Sequence, residues 1–252
     1  VAAAVFALLG KVPTSSALLG IILAASLSLI FLLQGEFANA FPPEPLFSHN
    51  SYGMGGLLLY LGGAFAMSVR ELFKAWAVGS LGCTMSYAGI QAPFLILAPC
   101  FDTRHSFRAG KDGQIRIALA GLVGTFVSVA LLMIGVEQIE NSALFNPQGC
   151  ALAALGAFAV VVVDSCPFYQ TDAGLILDSF FPGGNARYHA HVYFQRRYLS
   201  GLKTTSLFVG ELKLILLVVL SLGWLYAGLV FFTRLLSDVL LPSLAPILFA
   251  DN

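Results

Sequence analysis

The chain has 252 residues, of which 58% are apolar and only 10% charged, with a mean hydropathy of +0.85. A soluble domain carries about 25% charged residues, so this composition excludes an ordinary soluble domain and indicates an integral membrane protein. The formal net charge is zero, which gives no basis for nucleic-acid binding.

A membrane-crossing helix needs about 20 apolar residues. The first candidate is Ser16–Leu33 and the second Met54–Val78. The third is Ile115–Val136, the fourth Cys150–Asp164 and the fifth Leu207–Phe232. Leu235–Phe249 is a short sixth, broken by Pro242 and Pro246, that spans, re-enters or lies in the interface. Residues 83–100 are apolar but too short and irregular for a helix, with Ala92-Pro93 and Ala98-Pro99 punctuating them and Gly82 and Gly89 at their start. A partly embedded β-hairpin or re-entrant loop fits them, provided protein shelters the backbone. The expected fold is therefore an all-α polytopic membrane protein of about five to six transmembrane helices with an embedded β-hairpin or re-entrant segment near 83–100. It forms a single membrane domain over 1–252. Val1 to Val5 read as the middle of a longer chain, and the early apolar run has no basic start followed by a cleavage site, so no signal peptide is expected there.

Charge asymmetry sets the orientation. The segment 102–116 holds Arg104, His105, Arg108, Lys111 and Arg116, and the segment 174–203 holds Arg187, His189, His191, Arg196, Arg197 and Lys203. The connections Gln34–Gly53 and Glu137–Gly149 have no Lys or Arg, only Glu36, Glu44, Glu137 and Glu140. Two helices separate the basic loops, so both fall on one side, which the positive-inside rule makes cytoplasmic. Arg187, Arg196, Arg197 and Lys203 are placed to meet anionic lipid headgroups. His189 and His191 belong to that basic stretch, with metal binding the less favoured reading.

The second span contains the most informative stretch, Arg70-Glu71-Leu72-Phe73-Lys74-Ala75-Trp76. A charge at membrane depth costs about 2.5–3.5 kcal/mol on insertion scales and over 10 in simulations, so three charges in five residues need a physical reason. Arg70 and Lys74 stand four apart on one helical face, with Glu71 beside them. Three explanations fit: snorkelling to the interface, buried pairing with acids, or an ion or proton pathway. Asp164 and Asp172 stand near the end of the fourth span, and the plain reading is that they mark where that helix leaves the membrane. Gly53-Met54-Gly55-Gly56 and Gly62-Gly63 read as sites of close helix packing, and Pro182-Gly183-Gly184 reads as a turn. Cys83, Cys100, Cys150 and Cys166 lack C-x-x-C spacing and read as small apolar residues.

The segment Arg70-Glu71-x-x-Lys74-Ala75-x-Ala77-x-x-x-Leu81-Gly82 resembles H-E-x-x-H-A-x-A-x-x-x-x-G of the site-2-protease-like intramembrane zinc metalloproteases, with a cation in place of each histidine. The order of later segments resembles that family too. The apolar stretch 83–100 stands where the family has an embedded β-hairpin. Asp102-Thr103 precedes Ala118-Leu119-Ala120-Gly121, with Leu122 in place of a proline. Asp164-Ser165-Cys166-Pro167-Phe168-Tyr169-Gln170-Thr171-Asp172-Ala173-Gly174 resembles N-x-x-P-x-x-x-x-D-G, which carries the family's third zinc ligand at the position of Asp172. The run from Asn185-Ala186-Arg187 to Tyr198 resembles the version found in members that accompany export systems with periplasmic adaptor subunits.

The resemblance covers roughly residues 54–200, with flanking helices 16–33 and 207–249. It implies a bacterial inner membrane and a scaffold that once held zinc. Arg70 cannot lose its proton to become a ligand, and a carboxylate pair without nitrogen donors makes a poor zinc site. The expectation is a degenerate, non-catalytic member with no metal and no cofactor. Zn²⁺ would bring +2 to the site, and Arg70 with Lys74 bring the same charge. A cluster of Arg70, Glu71, Lys74, Asp164 and Asp172 would then clamp the second span to the loop after the fourth. Such a chain serves as a structural subunit or assembly factor, with lipids and other transmembrane subunits as partners, an export-system adaptor among them. The alternatives are an intramembrane protease with atypical ligands drawn from Glu71, Asp172 and His105, His189 or Cys166, and a transporter subunit that uses the buried charges.

Overall fold

A computed structural model describes residues 14–39, 51–83, 88–91, 97–101, 110–138, 147–167, 171–179 and 207–242. In chain order the elements are α1 (Ser16–Asn39), α2 (Tyr52–Ser80), β1 (Ala88–Gln91), β2 (Ala98–Phe101), α3 (Gly110–Gln138), α4 (Pro147–Asp164), α5 (Asp172–Ser179) and α6 (Leu207–Arg234). The protein is mostly helical, and four helices, α1 to α4, are long and apolar enough to cross a membrane.

The span count differs from the expected five to six. Among the described residues four helices qualify. The proposed sixth segment does not begin as a new element, because residues Leu235–Leu240 continue α6 as a π-helical stretch. Residues 243–252 lie outside the described part. The first span is also longer than expected, since helical geometry runs on to Asn39 through polar residues that carry no hydropathy signal.

Local chemistry explains where α2 starts and stops. The Ser51 hydroxyl accepts from the Met54 amide at its N-terminus, which satisfies one of the donors left over in the first turn. At the other end Gly82 adopts φ +69°, the left-handed conformation that glycine takes without a Cβ penalty. The Cys83 amide then bonds the Val78 carbonyl at 3.2 Å and the Gly82 amide bonds that of Gly79 at 3.0 Å. This pair of bonds is the Schellman stop. It ends the helix two turns beyond Lys74.

The bundle packs around α2 and α3. One apolar cluster joins Ala66 and Met67 of α2 to Val129 and Met133 of α3 and to Ala154, Ala157 and Val161 of α4. A second joins Leu19 of α1 to Ala77 and Val78 of α2 and to Ile117, Ala120 and Val123 of α3. A hydrogen bond from Thr14 to Ser80 ties the start of α1 to the end of α2. The helices approach closely where glycine permits it. A Cβ on Gly62 would meet the Ala153 carbonyl oxygen at 1.8 Å, and one on Gly156 would meet that of Leu59 at 1.9 Å. Small residues at such crossings are how membrane helices gain contact without a hydrophobic driving force between them. Gly62 thus packs as expected, whereas a Cβ on Gly56 would meet nothing within 4 Å.

Of the stretch 83–100, the described residues form two short paired strands, and residues 84–87 and 92–96 lie outside the described part. β1 and β2 pair antiparallel with Ala88 opposite Phe101 and Gln91 opposite Ala98. Ala98 is buried in the first cluster, and the Tyr60 hydroxyl of α2 accepts from the Leu97 amide at 3.0 Å. A backbone donor beside β2 is thereby satisfied by α2.

Candidate functional site

The site forms where α2 meets the exit of α4 and the start of α5. Arg70, Glu71 and Lys74 lie within two turns of α2 and are held near one another by the helix itself. The acids arrive from the far part of the chain. α4 ends at Asp164, and the chain turns with the Ser165 amide on the Val161 carbonyl and the Cys166 amide on that of Val163. Pro167 is buried in the turn. Thr171 then caps α5: its hydroxyl accepts from the Gly174 amide at 3.2 Å and donates to the Cys166 carbonyl at 2.5 Å. Asp172 is the first residue of α5, where the positive end of the helix dipole favours a carboxylate. The expectation of a loop is corrected at this point, because Thr171 supplies a cap and starts a short helix.

Arg70 is the hub of the cluster. Its Nε donates to Asp164 Oδ2 at 3.0 Å and to Asp172 Oδ2 at 2.9 Å, and its Nη1 donates to Glu71 Oε1 at 2.9 Å. Lys74 Nζ lies 2.6 Å from Asp172 Oδ1 and 3.8 Å from Glu71 Oε1. The Arg70 and Lys74 side chains are 13% and 12% exposed and that of Asp172 only 2%. Glu71, Asp164 and Asp172 are all buried. Of the three explanations, these contacts favour buried pairing, since both cations turn to acids that are themselves buried. Asp164 does mark the end of α4, yet it also pairs, so the two readings of that residue are one.

α3 makes room for this contact. A Cβ on Gly121 would meet Asp172 Oδ2 at 2.0 Å and Lys74 Cε at 2.6 Å, and one on Gly124 would meet Arg70 Cα at 2.8 Å. The sequence reading assigned no role to either glycine. The signal was present as two glycines three residues apart on a helix that must pass a charged partner, but nothing in the sequence says which partner.

The zinc chemistry implied by the family resemblance does not fit these residues. The positions of the two nitrogen ligands hold Arg70 and Lys74, and an ammonium or guanidinium has no lone pair to give. The carboxylates that remain are engaged with those cations. Among the described residues no three His, Cys, Asp or Glu side chains converge on a point where a metal could be held. The four cysteines are free.

Several predicted residues lie outside the described part: the headgroup-contacting Arg187, Arg196, Arg197 and Lys203, the pair His189 and His191, the turn Pro182-Gly183-Gly184, and Arg104, His105 and Arg108. Lys111 and Arg116 are in the first two turns of α3, with Lys111 exposed and Arg116 half-buried. No protein family, curated protein or solved structure matches the chain.

Proposed function

We propose that the chain is a non-catalytic membrane scaffold derived from an intramembrane zinc metalloprotease, in which an Arg/Lys–carboxylate cluster does the structural work of the metal. The observation that carries this reading is the cluster itself. Arg70, Glu71, Lys74, Asp164 and Asp172 converge from three chain segments and join in ion pairs. Two fixed cations bring the same formal charge as Zn²⁺ to the position that the resemblance gives the metal. They can tie α2 to α4 and α5, and they cannot activate water as a bound metal does.

In this reading the chain has five to six spans with α6 as the fifth. The basic loops 102–116 and 174–203 face the cytoplasm of a bacterial inner membrane. A fold that once admitted a transmembrane substrate helix serves as a structural subunit or assembly factor. Its partners are membrane lipids and other transmembrane subunits, with an export-system adaptor as the candidate beyond the membrane.

Metal content tests the proposal. Elemental mass spectrometry of the purified protein is expected to find no zinc, and the Arg70→His/Lys74→His variant is expected to take up close to one zinc per chain. Stoichiometric zinc in the unaltered protein would overturn the scaffold reading in favour of an active protease with other ligands.

A further inference from the structure

A groove lies between α3, the α4–α5 turn, α5 and α6. Its walls include Leu122 of α3, Pro167 of the α4–α5 turn, Ala173 and Ile176 of α5, and Leu220 and Trp224 of α6, and its volume is about 250 Å³. We propose that this groove binds one acyl chain of a membrane lipid.

The lining and the size select that occupant. Two polar side chains reach the groove wall, and both are already satisfied. The Ser165 hydroxyl donates to the Val162 carbonyl at 3.0 Å, and Trp224 Nε1 donates to the same oxygen at 2.9 Å. The surface left over is apolar and calls for no hydrogen-bonding ligand. One turn of a partner helix, about 10 Å across and 5.4 Å long, takes about 420 Å³, more than the groove's volume of about 250 Å³. An extended hydrocarbon chain is narrow enough to enter. The depth is also right: Leu122 stands about 18 Å along α3 from Gly110 at 1.5 Å per residue, well inside a helix that is long and apolar enough to cross the bilayer. The medium at that depth is acyl chain.

The groove keeps its shape through contacts already described. Thr171 caps the start of α5, Asp172 pins it to Arg70 and Lys74, and the Trp224 bond to Val162 holds α6 against the end of α4. The inference does not rest on the scaffold reading, and it stands whether or not the chain binds zinc.

Tryptophan fluorescence reads the groove directly. The chain has two tryptophans, so Trp76→Phe leaves Trp224 as the sole reporter. The protein is reconstituted in phosphatidylcholine vesicles that contain phosphatidylcholine brominated along its acyl chains, a contact quencher. Quenching of Trp224 is expected to be at least halved by Ala173→Phe, which fills the groove from α5. Leu122→Phe fills it from the opposite wall and carries the test if Ala173→Phe does not fold. Native mass spectrometry of the unaltered protein is expected to show one retained phospholipid, and the filled variants none. Quenching that is equal in the parent and in a folded filled variant would overturn the proposal, as would an unaltered protein that retains no phospholipid.

Discussion

Replacing Asp172 by asparagine is the sharpest test of the charge cluster. The change keeps the side chain's shape and removes one charge that is 2% exposed. In the intact site Lys74 Nζ lies 2.6 Å from Asp172, with Glu71 as its second acid at 3.8 Å. At 2.6 Å and an effective dielectric constant of about 20, the Coulomb attraction is about 6 kcal/mol. Much of that offsets the desolvation of both groups, so the net value of the pair is smaller. The loss on breaking it is larger than the net value, because the cation stays behind in a dry site. Breaking a buried pair by removing one partner costs about 3–5 kcal/mol. Arg70 keeps Asp164 and Glu71, so the main damage falls on Lys74. Asp172→Asn is therefore expected to lower stability by about 3–5 kcal/mol. Adding Lys74→Met removes the stranded charge, and the double variant should recover about 0.5–3 kcal/mol relative to the sum of the singles. The assay is reversible unfolding in mixed micelles with rising SDS fraction, followed by helical circular dichroism. An Asp172→Asn protein within about 0.5 kcal/mol of the parent would refute the cluster as a structural clamp.

Three other perturbations probe the supports of the site. Gly121→Ala places a methyl group 2.0 Å from Asp172 Oδ2. It should cost about 1–3 kcal/mol as an overpacked site, and its effect should be less than additive with Asp172→Asn in the same unfolding assay. Gly62→Ala meets a backbone carbonyl at 1.8 Å rather than a side chain that can swing away. The α2–α4 crossing must then open, with a loss of about 1–3 kcal/mol or more and faster amide exchange at the centre of both helices. Thr171→Ala removes the cap of α5. It should cost about 0.5–2 kcal/mol and raise amide exchange at Gly174 while leaving α3 protected.

The helices were legible in the sequence because the bilayer demands a simple signal. Met54–Val78, Ile115–Val136 and Cys150–Asp164 each fall inside a helix that extends by a few residues at one or both ends. The added residues are set by hydrogen bonds rather than hydropathy. Ser51 starts α2 and Gly82 ends it, and neither changes an apolar average. The paired strands were half legible: residues 83–100 were too short and irregular for a helix, and the sequence left a hairpin and a re-entrant loop both open. α5 was not foreseen, because a helix of eight residues with one capping threonine gives almost no periodic signal.

The cost of burying Arg70, Glu71 and Lys74 was legible in the sequence, and the resemblance supplied their acid partners. A cation in the middle of an apolar helix must reach water, or an acid, or an ion. Arg70 stands more than two turns from the end of α2, and the resemblance of the segment 164–174 to the family's third-ligand motif is what singles out Asp164 and Asp172 among the acids near span ends. What the sequence left open was the geometry. Nothing in it requires both acids to meet the same Nε of Arg70, or Lys74 to take the second oxygen of Asp172. Those details depend on how closely α3 approaches, and Gly121 and Gly124 set that distance. A one-atom side chain at Gly121 would occupy the space in which Asp172 and Lys74 meet. The cluster is thus specified jointly by five charged side chains and by a missing one on a helix that contributes no charge to it.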